Sequence, residues 1–414
     1  MKKLLLILLC LPIIGFGQNF IETYGNNNIF ADIGRSAHQT SDGGYIITGS
    51  TYSLATGSYD TYLIKTDGSG VEQWSKTFGA NWDENGFSVQ QTTDGGYIIA
   101  GEGSKNLIKT DGNGIEQWSN YFAVKARSVQ QTTDGGYIIA GSSSYDVCLI
   151  KTDSNGDSLW SKTFGGTDDD HAYSVQQTSD GGYIITGQTY SFGNGNSDVF
   201  LLKTDGSGIA QWLQTFGGTD YDEGFSVKQT NDGGYIIAGS TRSFGNGSSD
   251  AYLIKTDGSG IEQWYYTFGN VYYDIGYSVQ QTTDGGYIIA GTKSSSFSPL
   301  DKDILLLKVN GSGAYEWDRL GGGTSEDNGY SVQKTDDGGY VIAGSSESQS
   351  SSFNVILLKV DANGYMSSTS LQEHTTNKEL LKVTDLLGRE TKQTNQPLLY
   401  IYDDGTVEKR IAIE

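Results

Sequence analysis

The sequence is poor in the residues that stiffen or cross-link a chain: of 414 residues, only 3 are proline and 2 are cysteine. Cys10 falls in an N-terminal apolar stretch, which leaves Cys148 alone in the remainder and gives no internal disulfide. Histidine is equally scarce, at 3 residues, and no G-x-S-x-G, H-E-x-x-H, C-x-x-C or Walker sequence occurs, so nucleophilic and zinc chemistry have no motif to rest on. Positive charge is short as well. Against 49 acids stand 27 bases, a formal charge of −22 that repels nucleic acid at long range. The one apolar run, Leu4 to Ile14, falls below the roughly 18–20 residues that span a bilayer, so no membrane span is expected.

What the chain has in abundance is glycine and aromatics, 58 and 49 residues. Glycine follows no every-third-residue period, and an aromatic content of 12% is too apolar for a disordered chain, so collagen and intrinsic disorder both fail. The start reads as a secretory leader: Met1-Lys2-Lys3, the apolar run, then Gly15-Phe16-Gly17 as the small-x-small cleavage pattern, with residues 1–17 removed. Losing Lys2 and Lys3 leaves 25 bases against 49 acids, a mature charge of −24. Cys148 reads as core filler, since its place in the repeat described next is held by Tyr62, Phe200 and Tyr252.

The tract D-G-G-Y occurs seven times, ending at Tyr45, Tyr97, Tyr137, Tyr183, Tyr235, Tyr287 and Tyr340, at spacings of 52, 40, 46, 52, 52 and 53 residues. Each copy reads as an aromatic-led strand (Trp212 to Phe216), a second (Ser226 to Thr230), a third (Tyr235 to Gly239) and a fourth (Tyr252 to Thr256). Asp232-Gly233-Gly234 and Asp257-Gly258-Ser259-Gly260 supply the tight turns. Strands such as Tyr287-Ile288-Ile289-Ala290 are continuously apolar, as expected where both sheet faces are covered. The fold expected is therefore all-β: a seven-bladed β-propeller over residues 18–365, with four antiparallel strands per blade. Residues 18 to 25 form a lone strand with Phe20 in the Trp position, predicted to complete the seventh blade. The remaining copies place Trp74, Trp118, Trp160, Trp212, Trp264 and Trp317 four residues after a glycine, where a large ring fills the wedge between sheets.

The order of strand, Gly, variable loop, Tyr-containing strand, turn and Trp resembles a kelch blade, with Ala-Gly or Thr-Gly where kelch carries a double glycine. The G-x-x-x-W spacing is similar to the tryptophan-docking motif of quinoprotein propellers, but no quinone- or calcium-site motif of that group is matched, so no cofactor is implied. The C-terminal stretch, Lys382-Val383-Thr384-Asp385-Leu386-Leu387-Gly388-Arg389-Glu390 and then Leu399 to Ile411, resembles a type IX secretion system C-terminal sorting domain. That resemblance implies a small β-sandwich over residues 377–414, recognised by the type IX machinery, after a Ser/Thr-rich linker at 366–376. The protein would then be secreted or held on the outer cell surface.

Length variation is confined to the connections opposite the tight turns. Copy two has only Glu102-Gly103-Ser104 where others carry about ten residues, and copy three is shortened after Trp118. Variable loops on a constant scaffold mark the candidate binding face. Acids recur there at Asp32, Glu84, Asp170, Asp222, Asp274 and Asp327, with Val124 in copy three. A carboxylate ring would hold a cation or accept sugar hydroxyls; alternatively, each acid caps its own loop. Trp82, Tyr221, Tyr272 and Tyr273, with Phe30, Phe192 and Phe244, suit stacking on sugars or packing back onto the blades. Asp168-Asp169-Asp170-His171 lacks the pattern of a calcium loop, and no metal site is assigned. Seven lysines, from Lys65 to Lys359, recur with the seven D-G-G aspartates, which predicts pairs that tie the turns together. The leading expectation is a non-catalytic propeller that binds an extracellular polymer such as a polysaccharide, or a surface protein. A glycoside-active enzyme is the rival, disfavoured because near-equivalent acids give no asymmetric acid and base pair. A structural adhesion protein is the third reading.

Overall fold

A computed structural model of the protein describes residues 19–25, 30–80, 82–296, 301–348 and 352–366, together with three strands near the C-terminus. The expected leader, residues 1–17, and His374 lie outside the described residues. Residues up to 367 form one compact unit. It contains seven four-stranded antiparallel sheets, the blades of a seven-bladed β-propeller. Blade 4 is typical, with strands Asp170–Gln177, Tyr183–Thr189, Asp198–Thr204 and Ala210–Phe216 in order from the central axis outward. Among the described residues no helix is long and apolar enough to cross a membrane.

The sequence repeat and the blade are out of phase by one strand. The D-G-S-G turn is a hairpin inside a sheet, joining the third strand to the aromatic one, so that Lys203 lies opposite Trp212. The aromatic strand that leads each sequence copy is thus the outer strand of the blade before it. This offset leaves the seventh blade one strand short at its C-terminal side, and the strand Phe20–Tyr24 fills the gap by pairing antiparallel with Asn354–Val360. The closure expected from residues 18 to 25 is what joins the ring.

Burial follows from this stacking. In blade 5 the second and third strands, Tyr235–Thr241 and Asp250–Thr256, are buried at every position, because neighbouring blades cover both faces. The core is accordingly divided into layers, one at each blade junction. Cys148 belongs to one of them at 4% exposure, with its thiol pKa pushed up by burial. Each layer is topped by an aromatic of the outer strand reaching into the next blade. Trp160 of blade 3 meets Tyr183 of blade 4 with ring centroids 5.9 Å apart, and Phe20 meets Tyr45 of blade 1 at 5.8 Å.

The glycine of G-x-x-x-W completes this joint. Gly208 has φ of 75°, which an L side chain rarely adopts, and a Cβ there would stand 2.7 Å from Cζ3 of Trp160. One residue thus provides both the turn and the seat for the neighbour's ring.

The predicted lysine and aspartate pairs are present in all seven blades, at 2.8 to 3.0 Å. Each joins the D-G-G turn to the third strand of its own blade. Lys65 is buried and also donates to the Thr66 carbonyl, so its ammonium is satisfied where water is excluded.

The C-terminal unit, residues 368–414, contains a three-stranded antiparallel sheet of Leu380–Asp385, Pro397–Tyr402 and Val407–Ile411.

The closing strand gives a direct test. Phe20 is 9% exposed, and truncating a buried Phe costs about 3–5 kcal/mol. Phe20→Ala should therefore lower the urea midpoint by an amount that stands for about 3 kcal/mol or more. A midpoint equal to that of the native chain would show that the ring does not depend on this joint.

Candidate functional site

The structure places the six recurring acids beneath the long connections. Asp32, Glu84, Asp170, Asp222, Asp274 and Asp327 are each 2% exposed or less. In five of them a carboxylate oxygen accepts the backbone N–H of the residue four positions earlier: Ala80, Gly166, Gly218, Asn270 and Gly323 for Glu84, Asp170, Asp222, Asp274 and Asp327. Asp222 and Asp327 also accept the hydroxyls of Ser243 and Ser348. The role of these five in the fold is to cap the loops at the blade junctions. Asp168, Asp169, Asp170 and His171 separate accordingly: Asp170 caps a loop, the Asp168 N–H donates to Ser191, and His171 lines the cleft described below. Among the described residues no three His, Cys, Asp or Glu side chains come together as a metal set.

Five junctions also hold a second acid, Asp60, Asp146, Asp198, Asp250 or Asp303, at the start of the preceding blade's third strand, which the sequence reading did not single out; blades 2 and 7 carry Asn106 and Asn354 there. At the junction of blades 4 and 5, a Cβ on Gly217 would stand 2.1 Å from Oδ1 of Asp198 and 2.6 Å from Oδ2 of Asp222. Only glycine leaves room for two carboxylates side by side. Burial, reinforced by the Asp222 charge against the opposing Asn194 N–H, raises the Asp198 pKa. At the next junction burial, eased by the Asn246 N–H and reinforced by Asp274, holds Asp250 up at about 6. The pairs place like charges where little water reaches.

The aromatics named from sequence divide into two groups. Phe30 stacks on Tyr52 at 3.8 Å, and Phe244 packs against Tyr252 and Tyr265. Tyr221 sits under the Arg242 guanidinium, 5.4 Å from the ring centroid, while Tyr221 and Tyr273 are each 39% exposed and Tyr272 is half-buried. Trp82 differs, since 74% of it faces solvent.

Trp82 stands at the rim of a cleft of about 900 Å³ over blades 2 and 3. The cleft exists because the connections there are short. Glu102-Gly103-Ser104 and the abbreviated segment after Trp118 do not build the wall that other blades raise, and the gap exposes residues the sequence reading missed. Tyr121 and Tyr145 are 65% and 70% exposed and line the same cleft. Polar groups line it as well: Asp83, His171, the serines at 142–144, and Glu102, whose carboxylate lies 2.9 Å from Lys125. Asp83 accepts the Tyr59 N–H, so its carboxylate is held in place.

Tyr145 is held there under strain. Ser144 and Tyr145 form the two-residue turn between paired Ser143 and Asp146, with φ of 50° and 81°. These are the only non-glycine residues at positive φ among those described. A type I′ hairpin wants glycine at its second position, and tyrosine there costs roughly 1 kcal/mol. The shortened loops were legible as an irregularity, but the convergence of Trp82, Tyr121 and Tyr145 needed the register of two blades.

No protein-family profile matches the chain. The regulatory protein FlaEY of Caulobacter vibrioides is 27% identical over 114 residues, which make up 24% of this chain; the match spans only 12% of that protein's length. Among solved structures, Sqt1 from Chaetomium thermophilum superposes with a TM-score of 0.50 and 12% identity, over 95% of this chain and all of that one. The extracellular domain of a putative one-component system from B. thetaiotaomicron gives 0.52 at 12% identity, over 96% of this chain and 48% of that one. Identities this low speak for the fold alone. Fold and topology define a seven-bladed β-propeller.

The carboxylate pairs make a pH prediction. Asp250 titrates near 6 when folded against an ordinary 3.8, so its contribution to stability is present below about pH 4 and is lost as pH rises to about 6. Asp250→Asn should stabilise the protein by about 1–2 kcal/mol above pH 6 and leave it unchanged below pH 4. Blade 7 already carries Asn354 at the corresponding position. Denaturation at both pH values checks this, and an equal shift at each would remove the titration from the account.

Proposed function

We propose that the protein binds an extracellular polysaccharide in the cleft of blades 2 and 3. The observation that carries this reading is the trio of solvent-facing rings, Trp82, Tyr121 and Tyr145, around one cleft with hydroxyl, carboxylate and imidazole groups between them. Flat apolar rings suit the C–H faces of sugars, and the polar groups suit their hydroxyls. The strained turn favours the same reading, because it presents Tyr145 at a cost to the fold. Each cleft carboxylate is tied to a neighbour, Asp83 to the Tyr59 N–H and Glu102 to Lys125, which favours binding over acid–base hydrolysis.

Pull-down of the native chain on a panel of insoluble polysaccharides, scored also for release of reducing ends, tests it. Retention without release is expected. Trp82→Ala should weaken retention at least tenfold. Tyr145→Gly should weaken it similarly while keeping or slightly raising the melting temperature. Release of sugar would establish the glycoside-active reading, and absence of both would leave a structural adhesion protein.

The reading includes export. The leader at residues 1–17 and the resemblance of residues 377–414 to a type IX sorting domain support delivery to the outer surface or the medium. Residues 366–414 fused to a periplasmic reporter should carry it out of a type IX-competent cell; retention in the periplasm would overturn the assignment.

A further inference from the structure

The central channel departs from the repeat in one direction only. Seven inner strands surround it, and the repeat sets the same three side chains of each strand toward the axis: an aromatic at a β-bulge, then a serine, then a glutamine. The serines are structural, each hydroxyl accepting an N–H from the next blade, as Ser174 does from Val227 at 3.3 Å. At the other two levels four positions break the pattern. Arg35 and Arg127 replace the aromatic that five blades supply as Phe or Tyr, and Lys228 and His38 replace the glutamine of the other five. Three of the four are full cations, in a chain of net charge −22, and no carboxylate lines this cavity among the described residues.

The cations are held but not neutralised. The Arg127 guanidinium lies 4.0 Å from the Phe87 ring centroid and that of Arg35 lies 4.8 Å from the Tyr330 centroid. Stacking occupies the face of a guanidinium and leaves its in-plane N–H groups in need of an acceptor. Nε of Arg35 is buried with no hydrogen-bond partner. Glu102 acts on Arg127 electrostatically, but it belongs to the wall of the cleft above. Deeper in the channel, Lys228 has no carboxylate partner among the described residues, and burial lowers its pKa. His38, pushed down to about 4 by burial and then by the Lys228 charge, is a neutral donor at physiological pH. The cavity measures about 190 Å³, the share of about six waters, enough for a small anion with part of its hydration shell.

We propose that the central channel binds a small inorganic anion, held by Arg35, Arg127 and Lys228 with amide and hydroxyl donors of the glutamine and serine levels around it. The site is independent of the polysaccharide cleft. The anion supplies the counter-charge that the lining omits, and it offsets the cost of confining three cations in one narrow space.

The repeat itself provides substitutions suited to the fold. Lys228→Gln and Arg127→Tyr each restore what other blades carry at that level. Lys334→Gln does the same one residue beyond the channel lining, removes the same charge, and serves as the control. Calorimetric titration of sodium phosphate into the full chain, at constant ionic strength, should show one saturable site. Its Kd should rise at least tenfold in Lys228→Gln and Arg127→Tyr and stay within twofold in Lys334→Gln. A parallel titration with sodium chloride distinguishes the sources: saturation by phosphate alone assigns an oxyanion, and saturation by chloride with the same losses assigns a halide. No saturable heat from either anion with the native chain would overturn the proposal, as would equal weakening by Lys334→Gln and Lys228→Gln in variants whose melting shows them folded.

Discussion

The ring is held by one contact made repeatedly: an aromatic on the outer strand of each blade, seated on a glycine of the next blade and against its buried tyrosine. Trp160 on Gly208 and Tyr183 is the pattern, and Phe20 on Gly70 and Tyr45 is the same joint at the point of closure. The contact links sheets whose strands share no ladder, and it does so where they diverge from the axis. Because the core is parcelled into separate layers, the loss of one joint is not compensated by a common centre. Closure therefore depends on a strand more than 300 residues distant in sequence from its partner, as the pairing of Phe20 with Lys359 shows.

This explains what the sequence made legible. A motif read seven times gives its own internal comparison: D-G-G-Y, G-x-x-x-W and the lysine–aspartate spacing each recur because every blade solves the same packing problem. The strand offset was implicit in the lone Phe20 strand. Less accessible was where a repeated side chain points. The six acids admitted two readings, a ring of carboxylates or a cap on each loop, and the structure decides between them because a side chain at the start of an inner strand lies within reach of its own loop's N–H groups. That capping bond is worth more beneath the loop than in water. Trp82 was visible as an aromatic in a loop, while Tyr121 and Tyr145 were not, because their exposure follows from residues that are missing beside them.

Symmetry also indicates where function lies. Where all blades agree, the residue serves the blade, as with the buried lysines and the serines of the channel, and the acids that cap loops in five blades serve it likewise. Where blades disagree outside the packed core, no packing requirement forces the choice. Two groups of such disagreements line cavities, the low wall over blades 2 and 3 and the cations of blades 1, 3 and 5 along the axis. Both carry a cost. Tyr145 sits in a backbone region that glycine would occupy without strain, and Lys228 stands where glutamine would need no counter-charge.

The two sites differ in what the scaffold can supply. A cleft at the rim is assembled from loops, so its shape is free to change with loop length while the joints beneath stay fixed. The channel has no such freedom, since its width is set by the number of blades and its lining by one position per strand. Chemistry there can vary only by exchanging single side chains within a constant frame. Exchanging an aromatic for arginine keeps a flat group stacked in the ring, as Arg127 on Phe87 does, and adds a charge without opening a gap. Exchanging glutamine for lysine keeps a long polar chain and adds a second. These are the substitutions a closed ring tolerates, and each of them makes the channel more positive.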